Sequence, residues 1–129
     1  MNTDLELCLK HLQALVSFDT SNPPKKIQSS GLLDYLNSLS YLNPQVTDLG
    51  DGSFNILLIK GDPKYIFNVH LDTVPPGEGW STDPHTLAIT DEKAIGLGAC
   101  DIKGAAACLL TLIELGLDDY AVLFTTDEE

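Results

Sequence analysis

Tyr65-Ile66-Phe67-Asn68-Val69 is a short, largely apolar run, and His70-Leu71-Asp72 follows it without a break. Runs of this length and composition are what buried strands present. Ala121-Val122-Leu123-Phe124 repeats the arrangement, with Thr125-Thr126-Asp127-Glu128-Glu129 behind it. Open α/β sheets bind ligands outside the carboxyl ends of their strands. Two apolar strands that each deliver acids or an imidazole at that end therefore predict a sheet with a ligand site there.

The flanking segments supply the helices. Leu5, Cys8, Leu9, Leu12, Leu15 and Val16 fall on one stripe, which predicts an amphipathic helix from Leu5 to Phe18. It stops before Asp19-Thr20-Ser21-Asn22-Pro23-Pro24, where proline blocks continuation. A second helix is expected from Ile27 to Leu39, with Leu32, Leu33 and Leu36 inward. Asp51-Gly52 is a turn signal between a strand near Val46 and one from Phe54 to Ile59. Leu87 to Ile95 reads as a small hairpin turning at Asp91-Glu92, and Gly104 to Leu117 as an Ala/Leu-rich helix. Helices alternating with apolar strands define an α/β class. The length of 129 residues suits one domain, or one lobe of something larger.

Charge and composition narrow the function. There are 19 acidic residues against 7 basic ones, for a net charge of -12, and every basic residue is Lys. Phosphate contacts rest on Lys and Arg, so nucleic acid and anionic membranes are not expected partners. The balance suits cations instead, either metals or substrates carrying ammonium groups. No apolar run approaches the ~18–20 residues of a membrane span, and the N-terminus has no secretory pattern. Cys8, Cys100 and Cys108 form no C-x-x-C pair, so they are expected to be buried free thiols in a reducing cytoplasm.

Three clusters carry the candidate chemistry. In an extended segment His70 and Asp72 lie on the same side, roughly 6–7 Å apart, so one can bind a metal while the other orients it. Alone, such a pair is more often a surface His beside a turn Asp. Gly96-Leu97-Gly98-Ala99-Cys100-Asp101-Ile102-Lys103-Gly104 resembles a phosphate loop only superficially, because Asp101 stands where the dinucleotide fingerprint needs its third glycine. A carboxylate there suits a cation, or a simple helix cap. Asp127, Glu128 and Glu129 are either solvated acids at a chain end or carboxylates that need pairing or metal. Together, one His and several carboxylates form a ligand set for Zn²⁺ or a similar divalent ion. A free carboxylate beside such ions is what metal-assisted hydrolysis requires.

In order and spacing, four stretches resemble the acetylornithine deacetylase / succinyl-diaminopimelate desuccinylase / carboxypeptidase G family of co-catalytic zinc hydrolases. They are Asn68 to Pro75, Trp80 to Pro84, Gly96 to Gly104 and Phe124 to Glu129, and the Ser-Asn-Pro-Pro loop near Asn22 fits as well. The wording of Phe67 to Pro75 and of Gly96 to Ala107 is most like the acetylornithine deacetylase branch, including members that act on N-acetylcitrulline. The resemblance implies a three-layer α/β fold, a sheet flanked by helices, of which residues 1–129 form the N-terminal part of a zinc-peptidase-like catalytic domain. It implies two divalent ions, Zn²⁺ or Co²⁺. His70 would ligate one, Asp101 would bridge both, Glu129 would ligate the other, Asp72 would orient His70, and Glu128 would be the general base. The implied reaction is hydrolysis of N-acetylornithine or N-acetylcitrulline to acetate and the free amino acid, in cytoplasmic arginine biosynthesis. A desuccinylase or dipeptidase of the same family, or a non-catalytic metal-binding α/β module, is the alternative.

Family members also carry a further carboxylate ligand, a second ligating His and a lid domain that makes a homodimer, all beyond the Glu-Glu pair. Neither His11 nor His85 stands where that second His belongs. The expectation is therefore a chain that is inert by itself; the resemblance further implies a cis Asp101–Ile102 peptide, and the shared placement at element ends implies convergence of His70, Asp101 and Glu129 to within about 4–8 Å, the span of a two-metal site.

Overall fold

The computed structural model describes residues 2–129. Helix α1 runs from Thr3 to Ser17, and the Asn2 side chain accepts the Asp4 N–H at 2.7 Å as its N-terminal cap. Its inward face is narrower than the expected stripe. His11, Leu12, Leu15 and Val16 are buried, whereas Leu5 is exposed near the free end. The second expected helix is broken in two. A single 3₁₀ turn over Ile27–Ser29 precedes α2, Leu32–Ser38, and Gly31 between them has a φ of 94°. That left-handed conformation, natural to glycine, re-aims the chain so that Ile27, Leu32 and Leu36 all reach the core.

Strands β1 (Gln45–Asp48), β2 (Phe54–Lys60), β3 (Phe67–His70) and β6 (Tyr120–Thr125) form one mixed sheet in the order β1-β2-β6-β3. β2 is antiparallel to β1 and β6, while β3 is parallel to β6. The register places Ile56, Phe124 and Val69 in one row across the sheet. That face, with Phe54, Leu58, Tyr120 and Val122, shares a single core with α1, α2 and α3 (Gly104–Glu114). The α/β class is thus built on one buried sheet face. On the other face of β2, Asn55 and Leu57 are half-buried and Ile59 is exposed. β4 (Ala88–Ile89) and β5 (Ala94–Ile95) pair as the small hairpin.

β3 departs from the buried strand that its composition predicts. Only Val69 is buried, and Tyr65, Ile66 and Phe67 are exposed, because β3 lies at the sheet edge and pairs with β6 alone. The thiols depart too. Cys100 and Cys108 are exposed, and Cys8 is half-buried. Among the described residues no helix is long and apolar enough to cross a membrane.

His11 is a core residue. The Tyr35 hydroxyl lies 2.7 Å from Nδ1, while Nε2 faces the Tyr41 hydroxyl at 3.3 Å and Glu114 Oε2 at 3.5 Å. Burial lowers its pKa below the ordinary 6.5, with Lys10 assisting and the Glu114 carboxylate opposing. The unfolded chain therefore binds a proton that the folded chain refuses. Stability contributed by neutral His11 is complete above about pH 6.5 and is lost as pH falls through the lowered value. Urea titrations between pH 7.5 and 5 should show this loss in the parent chain and a flatter profile in His11→Gln. Equal slopes would show that His11 does not titrate differently on folding.

Candidate metal centre

The parallel pairing of β3 with β6 sets two strand ends side by side, with His70 opposite Thr125 and the Leu71 N–H donating to Thr125 O at 2.8 Å. Chain leaving both strands therefore enters the same space. Thr126 fixes the exit from β6. It is fully buried, and its hydroxyl accepts the Phe54 N–H at 2.9 Å and donates to Phe54 O at 2.8 Å. Asp127, Glu128 and Glu129 follow from that anchor.

Asp72 is the hub beneath them. It is completely buried. Its Oδ2 accepts the Glu129 backbone N–H at 2.9 Å and the Asn22 side-chain amide at 3.1 Å. Its backbone carbonyl accepts His70 Nδ1–H at 2.9 Å. The Asp19–Asn22 loop lies alongside: Thr73 N–H donates to Thr20 O at 3.0 Å and Asn22 N–H donates to Thr73 O at 2.8 Å. The Asn22–Pro23, Pro23–Pro24 and Asp101–Ile102 peptides are all cis.

Asp101 arrives from the turn over Ala99–Lys103 that leads into α3, and its own φ and ψ are extended rather than helical. Its carboxylate caps no helix and points instead at His70, Oδ1 lying 3.0 Å from Nε2. Lys103 holds this turn from behind. It is buried, and its ammonium donates to Leu15 O at 2.8 Å and Phe18 O at 3.1 Å, at the last turn of α1. Gly98 permits the close approach, since a Cβ there would meet Thr73 Cγ2 at 2.5 Å.

One ligand atom each from His70, Asp101 and Glu129 lies within 4.8 Å of the others. Glu128 Oε2 is 3.6 Å from His70 Nε2. The structure thus brings four of the five expected residues into one cleft mouth, with Asp72 buried below. Asp127 turns away, to Lys25 at 2.9 Å and the Asn22 amide at 2.9 Å. The cleft, of about 200 Å³, is lined by Thr73, Val74, Trp80 and Leu97 along with Asp101 and Glu129.

The donor set fits a divalent cation. Because a carbonyl only accepts, Nδ1 of His70 carries the hydrogen, and a neutral ring would then turn its Nε2 lone pair against the Asp101 carboxylate. That contact requires a proton or a cation between the two atoms. A proton meets that requirement. Burial pulls the His70 pKa down, but the Asp72 carbonyl, the Asp101 hydrogen bond and the charges of Asp72 and Glu128 more than reverse this and raise it. Glu129 is pushed up as well, first by desolvation and then by Glu128 and Asp101. The buried Asp72 Oδ1 has no hydrogen-bond partner and lies 3.4 Å from Nδ1, adding negative potential under the ring.

Asn22, Lys103 and Thr126 received no role from the sequence, yet each holds a site segment in place. The available signals were local: a polar residue fixed before two prolines, and a lysine at the head of an apolar helix.

Known proteins share parts of this sequence and fold. Residues 66–129 match the family model of peptidase family M20/M25/M40. The chain is 51% identical to N-acetyl-L-citrulline deacetylase of Xanthomonas campestris pv. campestris, over 94% of this chain and 34% of that protein. It is 34% identical to a succinyl-diaminopimelate desuccinylase of Ruthia magnifica, over 94% of this chain and 35% of that protein. The chain therefore spans about a third of the length of these relatives. The crystal structure of human carnosine dipeptidase 1 shares the fold, with a TM-score of 0.74 at 21% identity, over 94% of this chain and 32% of that one. Residues 66–129 thus carry the pattern of peptidase family M20/M25/M40, a family of metal-dependent hydrolases, and the similarity to the Xanthomonas deacetylase extends over 94% of this chain.

Proposed function

We propose that this chain is the N-terminal portion of the catalytic domain of an amidohydrolase that cleaves an N-acetyl amino acid, N-acetylcitrulline or N-acetylornithine, into acetate and the free amino acid. The observation that carries the reading is the convergence of His70, Asp101 and Glu129, with Glu128 alongside and Asp72 buried beneath. The similarity to an N-acetyl-L-citrulline deacetylase supports the substrate class. In this reading the reaction belongs to cytoplasmic arginine biosynthesis, the full protein is a homodimer, and its partners are small molecules rather than nucleic acid or membrane.

His70 would hold one divalent ion and Glu129 a second, with Asp101 shared between them. Zn²⁺ and Co²⁺ are the ions the donor set favours. Bound there, they would polarise the amide carbonyl and acidify a water. The chain's own groups do the rest. The Asp72 backbone carbonyl accepts a hydrogen bond from Nδ1–H of His70, so that Nε2 faces the site. It also fixes the Glu129 backbone from below. Glu128, whose side chain is 59% exposed at the cleft mouth, removes a proton from the attacking water and delivers it to the leaving nitrogen. Val74 and Trp80 offer an apolar wall for the acyl group.

Two measurements test this. Calorimetric titration with Zn²⁺ should detect binding to the chain, weakened at least ~10-fold by His70→Ala or Asp101→Asn. A smaller loss is expected for Asn22→Ala, because residues that orient ligands typically contribute 10–100-fold or less. Affinity unchanged in Asp101→Asn would remove Asp101 from the site. The second measurement grafts residues 1–129 in place of the matching segment of the Xanthomonas deacetylase. The chimera should hydrolyse N-acetylcitrulline or N-acetylornithine, and Glu128→Gln should lower kcat by about 10²–10⁴. The 129-residue chain alone should show no turnover. A folded, metal-loaded chimera that hydrolyses only N-succinyl substrates would move the assignment to the desuccinylases, and one that hydrolyses neither would overturn it.

A further inference from the structure

The two helices behind the Asp101 turn carry a pair of thiols with no part in the chemistry above. Cys8 on α1 and Cys108 on α3 are a hundred residues apart in sequence, yet their sulfurs lie 3.7 Å from one another. Among the described residues this is the one sulfur–sulfur contact, and Cys100 takes no part in it. Cys8 is half-buried and Cys108 exposed, so a small oxidant reaches the pair without unfolding the helices. The geometry points to an oxidisable dithiol site in which a neutral hydroperoxide joins Cys8 to Cys108 and clamps α1 to α3.

The bond needs little movement. A disulfide holds its sulfurs about 2.05 Å apart, so the two must close by roughly 1.6 Å, within reach of side-chain rotation. The step balances without further reagents. The Cys108 thiol loses its proton to solvent, and its thiolate attacks one peroxide oxygen. The O–O bond breaks, and the departing hydroxide takes up a proton as water. Cys8 sulfur then gives up its own proton and attacks the sulfenic sulfur, the S–O bond breaks, and the departing hydroxide takes up that proton as a second water while the S–S bond forms. Two thiols have lost two electrons, and one peroxide has gained them.

The surroundings set rate and selectivity. Burial, and then the neighbouring Cys8, push the Cys108 thiol up, so the reaction quickens as pH rises above neutrality. Asp4 and Glu6 flank the start of α1, and the chain's net charge is -12. An anionic disulfide such as oxidised glutathione is repelled, whereas an uncharged peroxide is not. The clamp would close a loop of 100 residues in sequence separation, and longer loops are those in which a cross-link most restricts the unfolded state.

The test uses the 129-residue chain with hydrogen peroxide at mildly alkaline pH, followed by non-reducing peptide mass mapping and thermal melting. A Cys8–Cys108 peptide lighter by two hydrogens is expected, reversible by dithiothreitol, with Tm raised by roughly 5–15 °C. Cys8→Ser and Cys108→Ser should each abolish both effects while keeping the parent's circular dichroism, and Cys100→Ser should keep both effects. Cross-linking that runs no faster in the folded chain than in urea would overturn the proposal. So would sulfinic acid, or Cys100-linked dimers, as the products from folded chain. A Cys8–Cys108 bond that leaves Tm unchanged would refute the clamp.

Discussion

A buried carboxylate with no lysine or arginine against it is costly, and Asp72 is such a group. Besides the charges of His70 and Lys103 nearby, its cost is offset by donors brought from elsewhere in the chain. Asn22 comes from fifty residues upstream and the Glu129 N–H from fifty-seven downstream. His70 sits two residues before it, its ring hydrogen on the Asp72 carbonyl. The need to satisfy one buried charge thus draws the loop after α1, the end of β3 and the segment after β6 into one place. Each of the three then presents its polar groups to the same cleft. The candidate site follows from how Asp72 is buried.

The electrostatics of the cleft run against the charges the chain has to spare. Of the acids that follow β6, Asp127 is turned outward and neutralised by Lys25, which also takes Asp51. Lys103, the lysine nearest Asp101 in sequence, spends its ammonium on two carbonyls of α1. Burial lowers its pKa to about 8, against the pull of Asp19 and Asp72. No lysine side chain is thus placed to balance Asp101, Glu128 and Glu129. Among the described residues their only cationic neighbour is His70, and a single imidazolium cannot balance three carboxylates. The imbalance is what a divalent ion relieves, and it explains why the donor set fits one.

Much of this was readable in the chain because strand ends are local. The run from Phe67 to Asp72, the run from Ala121 to Glu129 and the turn at Asp101 each put a candidate ligand at a junction between elements, and the fold brings those candidates together. The α/β class, the hairpin at Asp91 and the helix before Asn22 followed from periodicity and proline. What escaped depended on topology. The exposure of Tyr65, Ile66 and Phe67 is a property of strand order, which composition does not encode. The break before α2 rests on one φ angle at Gly31, inside an otherwise helical pattern. Asn22 and Lys103 act across fifty and more than eighty residues. Counting cysteines by spacing could not foresee that two helices would set Cys8 against Cys108.

Anchoring also bears on how the two final glutamates divide their proposed roles. Glu129 has its backbone N–H held by Asp72, so its carboxylate hangs from a fixed point. A metal ligand benefits from that, since the entropy of placing it is already lost on folding. Glu128 has no backbone tie of its own to the buried hub, and its side chain is largely exposed, 3.6 Å from His70. A group that must collect a proton at one atom and release it at another benefits from being able to swing. Exchanging the two positions would put the mobile carboxylate on the ion and the fixed one on the proton, and neither task would be served. The order Asp-Glu-Glu after a buried threonine therefore carries a physical logic: one acid pairs outward, one stays free, and one is pinned.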